Sequence, residues 1–500
     1  MAGEPMNSAA IEIEIEKEFK GMEVLVMGLG LNGGGIESAL FLARHGAKVS
    51  ITDLKDERAL APSLELLRAS TDYPFRYILG EHNITDFKQA DLVIKNPGVP
   101  INSPYLQAAR RIATDISIFL AFAPSRIIAI TGSKGKSSTA SAFHWVLAKA
   151  RETGLLPGLV HLGGNIALSP LKVLDTLGPE DDMVLELSSW QLGDLQGEYE
   201  GLLKPRIAIL TAIMPDHQDR YSSMELYVAD KKRIYRNQNR GDATIIQDGP
   251  WGRIFCDETG GRPIMAWEEA PASGSAGGWL GGPQGPGFAR LERHQKELEV
   301  VPAQLLVPGR YHKMNCLTAA LGLLDLGLES RFIRESLGSF PGIEHRLEFF
   351  MEAEGVFYYN DSAATIPEAA AAATEAFEEP IVLVCGGTDK SLNFQPLAAA
   401  IGDASRRSAL RVLILLAGTG SDKLMPLLAQ EGIPYLGPFR SIMTAAYAAK
   451  DRAQPGDRVI LSPGCTSFGM FANEFDRGFK WKDAVRQVYQ EALLPEDRWE

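Results

Sequence analysis

The sequence predicts an α/β protein of three domains: a Rossmann-like N-terminal domain, a central P-loop-type mononucleotide-binding ATPase domain and a Rossmann-like C-terminal domain. Three observations support the α/β class and the domain count. From "MEVLVMG" (22–28) onward, short apolar runs alternate with helical stretches, the pattern of parallel sheets covered by helices. Several of these runs lead straight into glycines or small polar residues, as strands of open sheets do where they build a site. At 500 residues the chain also exceeds one ordinary core.

The composition narrows the function classes. With 45% hydrophobic and 23% charged residues the chain reads as globular, and its net charge of −13 argues against a nucleic-acid partner. No apolar run approaches the roughly 20 residues that span a bilayer, and the acidic N-terminus lacks a signal-type apolar stretch. A cytoplasmic location is therefore expected. Cys256, Cys316, Cys385 and Cys465 lie too far apart for a disulfide framework or a zinc knuckle and read as reduced, mostly buried thiols.

Residues 1–20 form a lead-in containing "IEIEIEKEF", whose strict alternation fits an edge strand or a loose acidic segment. The first domain spans 21–124 and holds "GLGLNG" (28–33), a G-x-G-x-x-G between a strand and a helix, with Asp53 closing the next strand. That arrangement suits a nucleotide diphosphate on a helix N-terminus. Alone it would suggest a nicotinamide cofactor or a plain tight turn.

The central domain, 125–342, opens with the strand "RIIAIT" and the loop "TGSKGKSS" (131–138). Gly132 is two residues closer to Gly135-Lys136 than in the usual P-loop. Lys136 can still neutralise phosphate charge, and the Ser137 hydroxyl can ligate Mg²⁺. "LELSSWQL" (185–192) places Glu186 at a strand end, where a hard carboxylate suits Mg²⁺. "PDHQDRY" (215–221) sets His217 between two aspartates; a solvated turn is the alternative. In "YVADKKRIY" (227–235), read as a helix, Lys231 shares a face with Tyr227 and Tyr235, and periodicity alone makes it a solvated lysine. The stretch "SGSAGGWLGGPQGPG", within an insertion at about 268–290, reads as a surface loop or inserted hairpin unable to bury a core.

The third domain, 343–500, carries strands in "VFYYNDS", "IVLVCGG", "RVLILLAG" and "DRVILSPG", each ending in small or polar residues. Before its alanine-rich run, "TIPE" (365–368) reads as a capping box with proline in the first turn.

Together these residues resemble the Mur ligases, ATP-dependent amide-forming enzymes of peptidoglycan precursor assembly, from about residue 22 to about 480. "TGSKGKSS" fits that family's shortened loop, T-G-x-x-G-K-[ST]. "NPGV" (96–99), "GGNI" (163–166), "HRLE" (345–348), "NDSAAT" (360–365), "GGTDK" (386–390) and "SPGCTSF" (462–468) follow in family order.

The resemblance implies that D-glutamate is added to UDP-N-acetylmuramoyl-L-alanine through an acyl phosphate, with ATP and two Mg²⁺ ions. Gly28, Leu31, Asn32 and Asp53 would hold the UDP part, and Asn165 the muramoyl-alanine. Gly132, Ser133, Lys134, Gly135, Lys136, Ser137 and Ser138 would cradle the ATP phosphates. Asn315 would meet adenine, and Arg346 and Asp361, with His345 close by, the nucleotide. Ser137 and Glu186 would hold one metal ion and His217 the second. Lys231, carbamylated by CO₂, would join that second site. Lys136, Lys231 and His217 form the expected catalytic set, and Thr365, Lys390 and Ser467 would receive the amino acid. The sequence departs from the family pattern at Ala363, Ala212, "GRYHKMN" and Glu474. A monomer acting on small molecules is expected. The alternatives are a folylpolyglutamate-type or other Mur-type ligase, a NAD-dependent oxidoreductase and a non-catalytic UDP-sugar sensor.

Overall fold

The apolar runs become strands because Val, Ile and Leu dominate them and both faces of each run find cover. A computed structural model describes residues 8–491, apart from 32, 101, 167–168, 218–219, 273–274, 283–284 and 293–295. The contact expected of Asn32 and the second aspartate beside His217, Asp219, lie outside the described residues.

The first sheet contains β1 (Glu23–Met27), β2 (Lys48–Asp53), β3 (Arg76–Leu79), β4 (Leu92–Lys95) and β5 (Ile112–Ala113). All are parallel, in the order β3-β2-β1-β4-β5. The order reverses between β1 and β4, which opens a crevice at their carboxyl ends.

The lead-in corrects the sequence reading: Ser8–Phe19 is an α-helix, neither strand nor loose segment. Ile11, Ile15 and Phe19, four residues apart, are buried against this core while Ile13 faces outward. Phe19 meets the rings of Phe41 and Phe122 at centroid distances of 6.2 and 6.1 Å. Alternating isoleucine and glutamate satisfies the helical period as well as the strand period, and packing at every fourth residue decides between them.

The second sheet contains β6 (Arg126–Thr131), β7 (Val160–Gly164), β8 (Asp182–Glu186), β9 (Ile207–Leu210), β10 (Ala243–Gln247), β11 (Arg262–Trp267), β12 (Gly277–Leu280), β13 (Gly287–Arg290) and β14 (Leu298–Val301). Their order is β14-β13-β12-β11-β10-β9-β6-β8-β7, antiparallel only at the β12–β13 and β13–β14 pairs. β6 therefore lies between β8 and β9, and the ends of these three strands share one edge.

The glycine-rich stretch does form a hairpin, but β12 is buried, with Trp279 only 6% exposed. A Cβ on Gly278 would come within 2.9 Å of Leu321, and one on Gly287 within 2.9 Å of Val301. Glycine here lets the sheet approach the buried helix Arg310–Asp325 closely.

The third sheet contains β15 (Glu348–Ala353), β16 (Val356–Asn360), β17 (Ile381–Gly386), β18 (Leu410–Leu416), β19 (Leu436–Phe439) and β20 (Arg458–Leu461). Its order is β15-β16-β20-β17-β18-β19, with only β15 antiparallel. Successive residues serve opposite faces: Leu383 packs with Leu397 and Leu424, while Val384 packs with Ala445 and Trp481.

The chain divides into two compact units. One runs to Ala303 and includes Lys313–Leu337; the other comprises Gln304–His312 and the chain from Gly338. The first unit holds the first two sheets, tied by His45 Nε2 to Asp175 at 2.9 Å and by Lys95 Nζ to Asp194 at 2.5 Å. The second unit holds the third sheet.

Candidate active site

β6 ends at Thr131, and the chain turns through Gly132–Gly135 into the helix Lys136–Glu152. Gly132 and Gly135 have φ values of 149° and 91°, in the left-handed region that favours glycine. Space also demands them. A Cβ on Gly132 would lie 1.9 Å from Thr211 Oγ1, and one on Gly135 would lie 2.4 Å from Asn315 Oδ1. The first helical turn thus presents its unpaired N–H groups beside Lys136, Ser137 and Ser138, an anion-binding arrangement.

Neighbouring elements brace the loop. Ser133 N donates to Ala212 O at 2.8 Å, and Thr211 Oγ1 donates to Lys134 O at 2.7 Å. Ser133 Oγ lies 2.9 Å from the Tyr227 hydroxyl. Lys136 Nζ donates to Ser133 O at 3.1 Å, while Lys134 is exposed. Asn315, expected at adenine, sits over Gly135 and accepts from Gln247 Nε2 at 3.3 Å.

Lys231 is not the solvated lysine that periodicity suggested. The helix Met224–Lys232 carries it, ending earlier than the expected 227–235, and the side chain is 1% exposed. Nζ donates to Gly132 O at 2.8 Å and lies 4.5 Å from the centre of the Tyr227 ring. Burial, reinforced by the nearby charge of Lys136, pushes its pKa down to about 7; Asp216, Asp230 and Glu186 pull the other way.

Glu186, at the end of β8, is 1% exposed. Its Oε1 accepts from Asn165 Nδ2 at 3.0 Å, whereas Oε2 is buried with no hydrogen-bond partner among the described residues. A buried carboxylate oxygen in that state suits a cation as its partner. His217 has φ of 51° and a half-exposed ring, 5.0 Å from that of Trp190 and 6.3 Å from that of Tyr227. Loop lysines, the buried lysine, a carboxylate with one unpartnered oxygen and an imidazole therefore gather around one loop. Sequence reading missed Thr211, Gln247 and the hydroxyl of Tyr227 as braces, because each acts across a long separation in the chain.

In the first sheet, Gly28 and Gly35 line the crevice between the ends of β1 and β4, with Asn96 and Pro97. Asp53 is taken up by the loop itself, accepting from Gly30 N at 3.1 Å and Lys55 N at 2.9 Å. Leu31 is 53% exposed.

The second unit gathers its expected residues on loops at the strand ends. Gly464 N donates to Ala364 O at 2.9 Å and Thr466 N to Thr388 O at 3.0 Å. These bonds join the loops of Thr365, Lys390 and Ser467. Lys390 is exposed, 5.5 Å from the Phe468 ring centre, and Ser467 is buried. The capping box expected at Thr365 does not form: Ile366 is the N-cap, without a side-chain bond, although Pro367 does occupy the first turn.

Asp361 accepts from Ser462 Oγ at 2.6 Å and Leu347 N at 3.0 Å, and burial pushes its pKa up to about 6. Those bonds help hold a turn in which His345 and Leu347 have φ of 64° and 45°, with Arg346 exposed between them. His345 is buried and its pKa lowered by burial.

Comparison with known proteins agrees with this geometry. Residues 22–118 match the model of the Mur ligase MurD-like N-terminal domain, and 130–323 that of the Mur ligase middle domain. A UDP-N-acetylmuramoylalanine–D-glutamate ligase of Treponema pallidum is 39% identical, covering 94% of this chain and 99% of the relative. One from Roseiflexus sp. is 38% identical over 95% and 99%. The solved structure of a MurF ligase from Thermotoga maritima in complex with ADP has the same fold, with a TM-score of 0.51 at 15% identity over 95% of this chain and 97% of that one. No helix among the described residues is long and apolar enough to cross a membrane. A shortened phosphate loop, the buried lysine behind it and near full-length similarity lead to one conclusion: the chain belongs to the Mur ligase family, with the UDP-N-acetylmuramoylalanine–D-glutamate ligases.

Proposed function

We propose that the chain joins UDP-N-acetylmuramoyl-L-alanine to D-glutamate with cleavage of ATP to ADP and phosphate. The acceptor carboxylate attacks the γ-phosphorus, ADP leaves, and an acyl phosphate forms. The amine of D-glutamate then attacks the acyl carbon and loses a proton, and phosphate departs as the amide forms. The observation that carries this reading is the clustering of Lys136, the buried amine of Lys231 and the unpartnered Glu186 oxygen around one phosphate loop.

The reaction brings a carboxylate to a triphosphate, so positive charge and orientation do most of the catalysis. Loop N–H groups and Lys136 orient and neutralise the phosphates. Ser137 and Glu186 would hold one Mg²⁺, and His217 with carbamylated Lys231 a second. Magnesium there supplies neutralisation of the charge shared by the two anionic reactants.

With its pKa near 7, Lys231 is substantially an uncharged amine at neutral pH. Its nitrogen can add to CO₂, forming an N–C bond and releasing a proton, and the resulting anion is attracted to Lys136. UDP would rest on the loop of Gly28 with Leu31, Asn32 and Asp53, the muramoyl-alanine near Asn165 and adenine near Asn315. Arg346 and Asp361 would serve the nucleotide. Thr365, Lys390 and Ser467 offer the hydroxyl and ammonium donors that a dicarboxylic amino acid needs. Residues 21–124, 125–342 and 343–500 are accordingly read as UDP, ATP and amino-acid domains of a cytoplasmic monomer.

The test is to incubate the protein with ATP, Mg²⁺ and UDP-N-acetylmuramoyl-L-alanine and a panel of D- and L-amino acids, then weigh the products. A D-glutamyl adduct with equimolar ADP is expected. Another amino acid in the product, or ADP without product, overturns the reading.

A further inference from the structure

The third sheet's site loops enclose a buried cation that the functional reading leaves without a role. Arg477 lies near the start of the helix Glu474–Glu491 and is 1% exposed. Its Nε donates to Ser362 Oγ at 2.9 Å, Nη2 to Ser362 O at 2.7 Å and Nη1 to Cys465 O at 3.0 Å. Ser362 Oγ donates onward to Glu474 O at 2.7 Å. Ser362 lies between Asp361 and Thr365, and Cys465 two residues before Ser467, so one side chain bridges both loops. Arg477 also lines a small cavity with Gly387, Ser467 and Phe468 at the ends of β17 and β18.

Only the planar fork of a guanidinium reaches two separate backbone acceptors with fixed angles; a lysine ammonium is a single point. The acceptors are moreover neutral. A buried positive charge whose direct hydrogen-bond partners are all neutral is costly, and Asp361 and Glu474 offset it only from a distance. An anionic ligand offsets that cost.

We propose that Arg477 is the positioning residue of the amino-acid subsite, holding the Thr365 and Ser467 loops in register and biasing the subsite toward an anionic amino acid. This rests on the reading that Thr365, Lys390 and Ser467 receive the amino acid.

The test is steady-state kinetics of the full-length protein with Arg477→Lys and Arg477→Gln, using D-glutamate and its neutral analogue D-glutamine. Both variants raise the KM for D-glutamate roughly tenfold or more, since charged hydrogen bonds are lost. The KM values for ATP and the UDP-linked acceptor stay within about twofold. Arg477→Lys keeps the preference for D-glutamate over D-glutamine, and Arg477→Gln loses it.

An unchanged KM for D-glutamate in Arg477→Lys, or a parallel rise in the KM for ATP, overturns the proposal. If Arg477→Gln fails to fold by circular dichroism, Ser362→Ala replaces it. That variant removes one acceptor and keeps the charge, so it gives a smaller rise in KM with the preference intact; an unchanged KM there counts against the proposal. Failure of the wild type to use D-glutamate sinks the functional reading instead, and the variants are then measured with the amino acid that the wild type does use.

Discussion

The chain contains two strand–glycine loop–helix turns that end alike at the helix N-cap and differ in the side chains around them. Gly33 and Gly135 each occupy the N-cap of the following helix, with φ of 84° and 91°. In the first loop the nearby polar groups are largely spent internally: Asp53 accepts from Gly30 N, and Ser63 Oγ donates to Gly30 O at 2.7 Å. The charged residue in its helix's first turn is Glu37. In the second loop Lys136 begins the helix and Lys231 presses on the loop from behind. A bare helix N-terminus favours one anionic group modestly; reacting a triphosphate with a carboxylate requires cations as well. The backbone suits both turns to an anion, and the lysines make the second one the candidate for chemistry.

The largest test of that contrast is Lys136→Ala, expected to lower ATP-dependent phosphate release by roughly 10²-fold or more. Near-wild-type turnover would remove the distinction between the loops. Next comes Lys231→Ala, expected to cripple turnover and to recover partly when a short-chain carboxylic acid is supplied. An alanine variant that is fully active without additive rules out the carbamate.

Glycine replacements separate the two loops with smaller effects. Gly135→Ala places a Cβ 2.4 Å from Asn315 Oδ1 and costs about 1–2 kcal/mol of backbone strain. The KM for ATP should rise while that for the UDP-linked acceptor holds. Gly35→Ala drives a Cβ to 2.5 Å from the carbonyl oxygens of Gly28 and Leu29, a clash with backbone that costs about 1–3 kcal/mol of stability. It should act on the acceptor and spare ATP. The same change in both KM values from either variant would show that the loops are not separate sites.

A test of a different kind concerns pH. Burial lowers the pKa of Lys231 from 10.5 to about 7, so between those values the unfolded chain binds a proton that the folded chain has released. Stability then rises with pH across that window, and the penalty is fully present below it. Lys231→Met has no such penalty. In CO₂-free buffer, the Tm advantage of Lys231→Met over wild type should shrink from about pH 7 to about pH 10; a constant gap would mean that Lys231 is not held as a neutral amine.

The sequence made the strand ends and the phosphate loop readable because their chemistry is local: glycine, lysine and serine sit within a few residues. The surroundings of Lys231 were not readable from its own helix, where it has the look of a solvated cation. Its burial depends on Thr131 and Gly132, about a hundred residues earlier in the chain. Asn315 over Gly135 and Arg477 between two loops are likewise products of topology. The isoleucines of Ser8–Phe19 suit two periods, and burial at every fourth residue against Phe41 and Phe122 shows which one packs. The glycine-rich composition suggests a stretch unable to enter a core, whereas its missing side chains are what admit the helix above it.

The most direct measurement follows oxygen. UDP-N-acetylmuramoyl-L-alanine labelled with ¹⁸O in its carboxylate is turned over with ATP and D-glutamate, and the released phosphate is weighed. If the carboxylate takes up phosphate at the Lys136 loop, one labelled oxygen leaves with each phosphate. Unlabelled phosphate alongside amide product would contradict the acyl phosphate and the role assigned to that loop.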